Sequence, residues 1–248
     1  MKFAFSTLAA PTLDLVTLAS RAREAGYDAI DLGAPVPAGA VVDAGLEVAC
    51  MESGIAMPHG RRARARAVDD FRRVLDLAAM VQCRRVRVSG GAVHAGTSAS
   101  VAVGKWLAPL AELAAGQEVT LLLRTDGAVR RAHDMWLTLE FIDRANVAAS
   151  WNLAGAVESP FVAVPTLNSR MRYVMLPDTV TPEAGPLVTR LMGIGYGGYV
   201  AVAGPTADMA RDLANLRTWT KPPVLKGAAK ATGKGTAVAA AAAAARSH

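Results

Sequence analysis

The 248-residue sequence contains little cysteine, few aromatic residues and no long apolar segment. Its only two cysteines, Cys50 and Cys83, are too few for a disulfide framework in a chain of this length, which favours a reducing, cytoplasmic compartment. The long uncharged stretch Val88–Gly104 is rich in Gly, Ala and Ser, so no membrane span and no membrane partner is expected. Aromatic residues make up only 5% of the chain, which predicts a core of Ala, Val and Leu.

The N-terminus and the C-terminus have unusual compositions. Lys2 followed by the apolar run Phe3–Leu13 imitates a signal peptide, but Asp14 interrupts the run and the alternation in its first residues favours a β-strand. From Lys221 onward the charged residues are four lysines and Arg246, with no acid, so this segment carries +5 of the formal net charge of +6. We predict that residues 221–248 form a disordered tail, because they offer almost no large apolar side chain to bury.

The basic tail allows two interpretations. Lysines spaced along a flexible chain can neutralise phosphates, which would give weak, nonspecific binding to nucleic acid. The segment contains no aromatic residue, so stacking on bases is not expected. Alternatively, the tail is a linker or a solubility segment without a partner.

Residues 1–220 alternate short β-branched runs with longer helical periods, which is typical of βα units and a parallel sheet. The chain length fits one barrel of this kind, so the predicted fold is α/β, a single (β/α)₈ TIM barrel followed by the tail. Predicted strands are Lys2–Ser6, Ala29–Leu32, Leu46–Cys50, Arg85–Ser89, Val119–Arg124, Val147–Asn152, Arg172–Leu176 and Tyr199–Ala203. Predicted helices are Leu13–Ala25 with Thr12 as N-cap and Gly26 at its end, Ala65–Val81, Ser98–Ala115, Arg130–Arg144 and Thr206–Thr218.

Six segments occur in an order that resembles the xylose isomerase-like TIM-barrel family. This family contains sugar-phosphate isomerases and epimerases, inosose dehydratases and endonuclease-IV-type enzymes, and the resemblance covers residues 1–220. The segments are Phe5–Leu8, Ala25–Leu32, Arg85–Gly91, Leu121–Gly127, Ala149–Asn152 and Gly195–Val202.

The resemblance implies a divalent metal held by Glu, Asp, His and Glu from late strands. At those four positions this chain has Arg124, Asn152, Met175 and Ala203, and Asp126 replaces a further family histidine. Divalent metals require carboxylate or imidazole ligands, and Arg124 would place a fixed positive charge where the cation belongs. We therefore expect no bound metal and no other cofactor.

Several polar residues follow the strands at the end where barrel active sites form. Arg87, Arg124, Asn152 and Glu52 could bind a small carbohydrate or an anionic ligand, because arginine grips carboxylates and phosphates through two bonds. Asp126 and Asp178 are the candidate catalytic bases. In the alternative interpretation, Arg124 pairs with Asp126 or Asp178 and fills the vacated metal site as a structural ion pair.

Other motifs have a structural interpretation. Gly193–Gly198 matches GxGxxG, but a helix precedes it and a strand follows, which favours a tight turn over dinucleotide binding. The basic run Arg61–Arg66 is interpreted as a solvated loop, with anion or nucleic-acid contact as the alternative. All four histidines (His59, His94, His133 and His248) are interpreted as loop or surface residues, with a catalytic role at His59 or His94 as the alternative.

Three functional hypotheses follow from the sequence. The first is a degenerate barrel that has lost metal-dependent isomerase chemistry and acts as a noncatalytic binding or structural protein. The second is a metal-independent isomerase, epimerase or dehydratase acting on a sugar or sugar acid, with Asp126 or Asp178 as base and Arg124 stabilising an enolate-like charge. The third is a nucleic-acid-associated protein tethered by its tail. The sequence leaves the oligomeric state open.

Overall fold

Eight parallel strands close into a barrel in the computed structural model, which describes residues 1–33, 45–93, 98–205 and 207–221. Each strand pairs with the next along the chain, and the last pairs with the first through Lys2 opposite Tyr199. The (β/α)₈ prediction is therefore confirmed. The strands are β1 (Lys2–Ser6), β2 (Ala29–Leu32), β3 (Glu47–Ala56), β4 (Arg85–Ser89), β5 (Thr120–Arg124), β6 (Val147–Asn152), β7 (Met171–Leu176) and β8 (Tyr199–Val202).

Helices surround the barrel and connect successive strands. In the described part of the chain they are α1 (Leu15–Ala25), α2 (Arg61–Met80), α3 (Ala99–Ala115), α4 (Ala132–Ile142), α5 (Pro160–Leu167), α6 (Ala184–Gly193) and α7 (Met209–Trp219). Gly26 ends α1 in the left-handed region at φ 93°, as predicted, because only glycine adopts this conformation without strain.

Two predictions about the helices were wrong, and two helices were missed. Asp14, not Thr12, caps α1, since its carboxylate accepts a hydrogen bond from the Thr17 amide at 2.9 Å. The run Arg61–Arg66 belongs to α2 and not to a loop, because long arginine side chains are good helix formers on an exposed face. Helices α5 and α6 were not predicted at all, since Pro165 and two glycines obscured their periodicity.

The strands separate two hydrophobic layers. Side chains alternate along each strand, so Val86 and Val88 of β4 face the helices, whereas Arg85, Arg87 and Ser89 face the interior. The interior layer is built mainly from small residues together with Tyr173, Tyr199 and Met175, the others being Ala4, Ala29, Ala49, Cys50, Leu122, Ala148 and Ala201. Small side chains on most strands leave room inside the barrel for the long arginines of β4.

Part of the sequence-based interpretation concerns residues outside the described ranges. These are His94, His248 and the predicted tail from Pro222 onward. Among the helices of the described residues, none is long and apolar enough to cross a bilayer.

Candidate functional site

Arg87 lies in the middle of the barrel with no solvent exposure. Its Nη2 donates to both carboxylate oxygens of Asp31 on β2, at 3.0 and 3.2 Å, and its Nε donates to Glu52 Oε2 on β3 at 3.0 Å. Burial on its own lowers the pKa of Arg87, but the neighbouring carboxylates of Asp31 and Glu52 outweigh it, and the pKa lies above its usual value. The guanidinium is therefore permanently charged.

Asp31 is equally buried and accepts four hydrogen bonds from three side chains. Besides the two bonds from Arg87, Ser6 Oγ donates to Oδ2 at 2.7 Å and Tyr173 Oη donates to Oδ1 at 2.9 Å. Burial, followed by the charge of Asp31, raises the pKa of Tyr173, so the phenol keeps the proton that it donates. A buried carboxylate needs such hydrogen-bond donors and a neighbouring positive charge to offset the loss of its hydration.

Arg124 extends the network toward solvent at the carboxyl end of β5. Its Nη1 donates to Glu52 Oε2 at 3.0 Å and its Nε to Asp126 Oδ2 at 2.5 Å. Ser89 Oγ donates to the other Asp126 oxygen at 2.9 Å. The side chains of Arg124, Asp126 and Glu52 are 32%, 23% and 11% exposed, so these three groups form the accessible part of the network.

We call Asp31, Glu52, Asp126, Arg87 and Arg124 the charged cluster. Glu52 Oε2 accepts from both arginines and joins the buried half to the exposed half. Three carboxylates and two guanidiniums give it a formal charge of −1. The predicted contact between Arg124 and Asp126 is confirmed, and the alternative partner Asp178 is wrong for the described residues, because Glu52 is the second carboxylate that Arg124 contacts.

The remaining three strand-end positions contribute no charge. Asn152 Oδ1 accepts from the Ala154 amide at 3.2 Å and shapes the turn after β6. Met175 is 5% exposed and its sulfur lies 2.8 Å from Nη1 of Arg87. Ala203 packs at the edge of the interior hydrophobic layer. The structure therefore brings together Arg87, Arg124 and Glu52, as predicted. The Asn152 side chain instead hydrogen-bonds to the turn that follows it.

Comparison with solved structures identifies the fold. A 3-keto-D-glucoside 4-epimerase from E. coli superposes with a TM-score of 0.75 at 16% identity, covering 88% of this chain and 99% of the epimerase. A D-tagatose 3-epimerase-like protein gives 0.74 at 16% identity, with 88% and 97% covered. A family 2 AP endonuclease from Brucella melitensis gives 0.72 at 16% identity, with 89% and 100% covered.

The chain has the xylose isomerase-like TIM-barrel fold. The resemblance expected from the six sequence segments is thus confirmed at the level of the fold. No protein-family model and no curated protein sequence matches the chain.

The residues at the four strand ends do not fit the divalent metal that the xylose isomerase-like resemblance implies. A guanidinium, an amide whose oxygen is already bonded, a thioether and a methyl group replace carboxylate and imidazole ligands. The carboxylates nearest to them, Glu52 and Asp126, are bonded to Arg124. Within the described ranges, no group of three His, Cys, Asp or Glu side chains is arranged to hold a metal ion.

The other predicted candidates lie away from the charged cluster or have structural contacts. Asp178 is 6% exposed, and its Oδ1 accepts from the Val180 amide and from both the amide and hydroxyl of Thr181, at 2.8 to 3.0 Å. It therefore shapes the loop after β7. His59 and His133 are exposed, as expected for loop and surface residues. Cys50 and Cys83 are buried free thiols, and burial raises the pKa of Cys83 to about 11.

Sequence reasoning missed Asp31, Ser6 and Tyr173 as members of the site. One signal was available: Asp31 is the only charged residue in β2, and it shares the interior face with Ala29. A carboxylate on the interior face of a short apolar strand needs a buried cation, and Arg87 on β4 has the matching position. Tyr173 and Ser6 carry no comparable signal, because tyrosine and serine are common in strands without any partner.

Proposed function

We propose that this chain is a barrel of the sugar-isomerase type that has no metal-dependent chemistry and acts as a noncatalytic binding protein. The observation that carries the proposal is the placement of Arg124, whose guanidinium bonds to Glu52 and Asp126 at the position of the first expected metal ligand. A cation arriving there meets a fixed positive charge, and the nearby carboxylates of Glu52 and Asp126 are already bonded to that guanidinium.

The exposed half of the charged cluster suits a small polyhydroxylated ligand. Arg124 offers donors, while Asp126 and Glu52 offer acceptors, and these groups are partly open to solvent. Sugar hydroxyls both donate and accept, so a carbohydrate can satisfy carboxylates and guanidinium together. Because the three side chains already hold one another in place, binding requires little reorganisation.

The test combines metal analysis with a turnover assay. Purified protein, analysed after mild dialysis and again after incubation with Mn²⁺, Mg²⁺ or Zn²⁺, should retain far less than one ion per chain. Ketohexoses incubated with each sample should not epimerise. About one ion per chain, retained after dialysis and accompanied by turnover, would refute the proposal.

Ligand binding has its own readout. Calorimetric titration with a panel of monosaccharides and sugar acids should find a ligand whose affinity falls about tenfold in Arg124→Gln, as expected for the loss of a charge-assisted hydrogen bond. Arg144→Gln is the matched control, because Arg144 forms an exposed ion pair with Glu112 on the outer surface. Equal losses in both variants would contradict a binding site at the charged cluster.

A metal-independent isomerase or dehydratase is the second candidate. The observation in its favour is the pairing of a partly exposed carboxylate, Asp126, with the guanidinium of Arg124, which offers a base beside a group that stabilises developing negative charge. Of the two predicted bases, Asp126 is favoured, since Asp178 is nearly buried and bonded within its loop. Turnover without metal that disappears in Asp126→Asn but persists in Asp178→Asn would establish this candidate in place of the first.

A further inference from the structure

A polar cavity lies at the amino-terminal end of the barrel, opposite to the charged cluster. Its volume is about 370 Å³. The residues that line it come from the first halves of β4 to β7 and from the segments before β6 and β8: Arg85, Thr120, Ala145, Ala148, Arg172, Gly197 and Gly198. Two of the seven side chains are arginines, and none is acidic.

Arg85 enters this cavity from the interior face at the start of β4. Its Nη1 donates to the Ala49 carbonyl at 3.2 Å, and its guanidinium carbon lies 4.6 Å from the centre of the Tyr199 ring. A neutral carbonyl and an aromatic ring thus hold the Arg85 side chain in place, and neither cancels its charge. Among the ion pairs of the described residues, none involves Arg85, so none of their carboxylates bonds directly to its guanidinium.

A β-bulge directs Arg172 to the same cavity. In the pairing of β6 with β7, Ala149 lies opposite Met171 and Ser150 lies opposite Tyr173, so Arg172 is the extra residue. Met171 then faces the helices and Tyr173 faces the interior, whereas Arg172 is exposed at the barrel end. Bulges commonly re-aim a side chain in this way. Arg172 has no carboxylate partner in the part of the chain that the structure describes.

The neighbouring charges do not cancel these two arginines. Lys2 and Glu47 form an ion pair at 2.7 Å, and Tyr199 Oη donates to Glu47, so Glu47 is already compensated. Counting Lys2, Arg85 and Arg172 against Glu47 leaves a formal charge of +2. Both arginines also act on one buried phenol: burial raises the pKa of Tyr196, and the charges of Arg85 and Arg172 oppose this increase.

In the turn before β8, Gly197 and Gly198 expose their backbone to the cavity, because they have no side chains. A Cβ on Gly198 would lie 2.5 Å from the Arg172 carbonyl oxygen, so no side chain fits there. At Gly197 an added Cβ would meet nothing within 4 Å, so packing does not require this glycine. A bare backbone facing open space allows close approach of a ligand. These residues belong to the GxGxxG match, which the fold uses as a helix-to-strand turn.

We propose that this amino-terminal cavity binds a small phosphate-class oxyanion between Arg85 and Arg172. A phosphate group carries close to two negative charges at neutral pH and three equivalent acceptor oxygens. It therefore matches the +2 charge and the two guanidiniums better than a carboxylate, which carries one charge. The cavity accommodates a phosphorylated small molecule in addition to the anion itself.

The experiment is a calorimetric titration of the full chain with inorganic phosphate at low ionic strength, with acetate as the comparison anion. Phosphate should bind in a 1:1 ratio and acetate at least about tenfold more weakly. Arg172→Gln should weaken phosphate binding about tenfold, since it removes one charge-assisted contact. Arg172 is exposed, so this variant retains the fold.

Arg84→Gln is the matched control. Arg84 precedes Arg85 but pairs with Glu118 at 2.8 Å and lies outside the cavity, so its loss should leave phosphate affinity unchanged. All variants keep residues 222–248, so any phosphate held by the lysines of the tail contributes equally to each. Absence of saturable phosphate binding, or equal weakening by Arg84→Gln and Arg172→Gln, would overturn the proposal.

Discussion

Replacing Arg87 by Met should be among the most destabilising single substitutions in this barrel. Methionine retains most of the volume and apolar contact of the side chain but removes the cation that, among the described residues, is the only one to contact Asp31. Glu52 keeps its bond to Arg124 and some access to solvent. Asp31 is fully buried and keeps only its neutral donors Ser6 and Tyr173. The substitution therefore leaves one uncompensated buried charge.

Breaking a buried ion pair from one side costs about 3–5 kcal/mol, mainly through the charge that stays behind. We expect Arg87→Met to lose about 4 kcal/mol of unfolding free energy, a large fraction of the 5–15 kcal/mol typical of a domain. Combining it with Asp31→Asn removes the stranded charge, so the double variant should be more stable than Arg87→Met by about 2 kcal/mol or more. Arg124→Met, at a partly exposed ion pair screened by solvent, should cost about 1 kcal/mol or less.

Equilibrium urea unfolding followed by circular dichroism measures all four proteins on one scale, provided that their m-values agree. The reasoning depends on the order of the variants rather than on absolute values. If Arg87→Met were no less stable than Arg124→Met, or if Asp31→Asn added to the loss, the account of a buried and mutually compensated pair would be wrong.

Three further predictions address other parts of the chain. Burial raises the pKa of Cys83 from 9.0 to about 11, so its neutral thiol stabilises the fold below pH 9 and this contribution is lost as the pH rises to 11. In urea unfolding at several pH values, the unfolding free energy should therefore fall less with pH in Cys83→Ala than in wild type. Gly127→Ala should destabilise the fold by about 2 kcal/mol or more, because φ is 50° there and the added Cβ would clash with the Gly91 carbonyl. Gly193→Ala places its Cβ in open space at the end of α6 and should be neutral or stabilising by up to about 1 kcal/mol. Thermal melts compare the two variants. Truncation after Thr220 should shift the melting temperature by no more than about 2 °C, since no apolar side chain larger than Val follows Leu225, and it should abolish any salt-sensitive nucleic-acid binding measured by titration.

The barrel was predictable because its signals are local and repeated. Seven of the eight predicted strands begin and end within one residue of the observed ones, and β3 alone extends well beyond its prediction, to Ala56. Alternation of apolar runs with helical periods needs no long-range information. The failures occurred where local signals conflicted: α5 contains a proline in its interior, and the arginines of α2 imitated a loop.

The candidate site was predictable only in part. The strand-end positions followed from topology, since the carboxyl ends of parallel strands must converge in a closed barrel. Which of the converging charges bond to each other depends on side-chain length and depth, and these do not appear in a one-dimensional pattern. Arg124 had two acidic candidates in sequence, Asp126 and Asp178, and its second observed partner was Glu52 from a distant strand. The cavity at the opposite end was not predicted, because Arg172 reaches it through a bulge that has no sequence signature.

Under the proposed function, the interior of the barrel supplies its own cations and needs no metal to keep its fold. Arginines 87 and 124 carry fixed positive charge to the place where a divalent cation would otherwise neutralise carboxylates, and Glu52 bridges them. Asp31, Glu52 and Asp126 are thus each bonded to a guanidinium of the chain itself. A barrel that depended on a metal for this compensation would lose stability on chelation, because its clustered carboxylates would then repel one another. For this chain we expect the opposite: a chelator such as EDTA should leave the melting temperature unchanged, and a decrease of several degrees on chelation, reversed by one added cation, would show that a metal still holds the barrel's carboxylates.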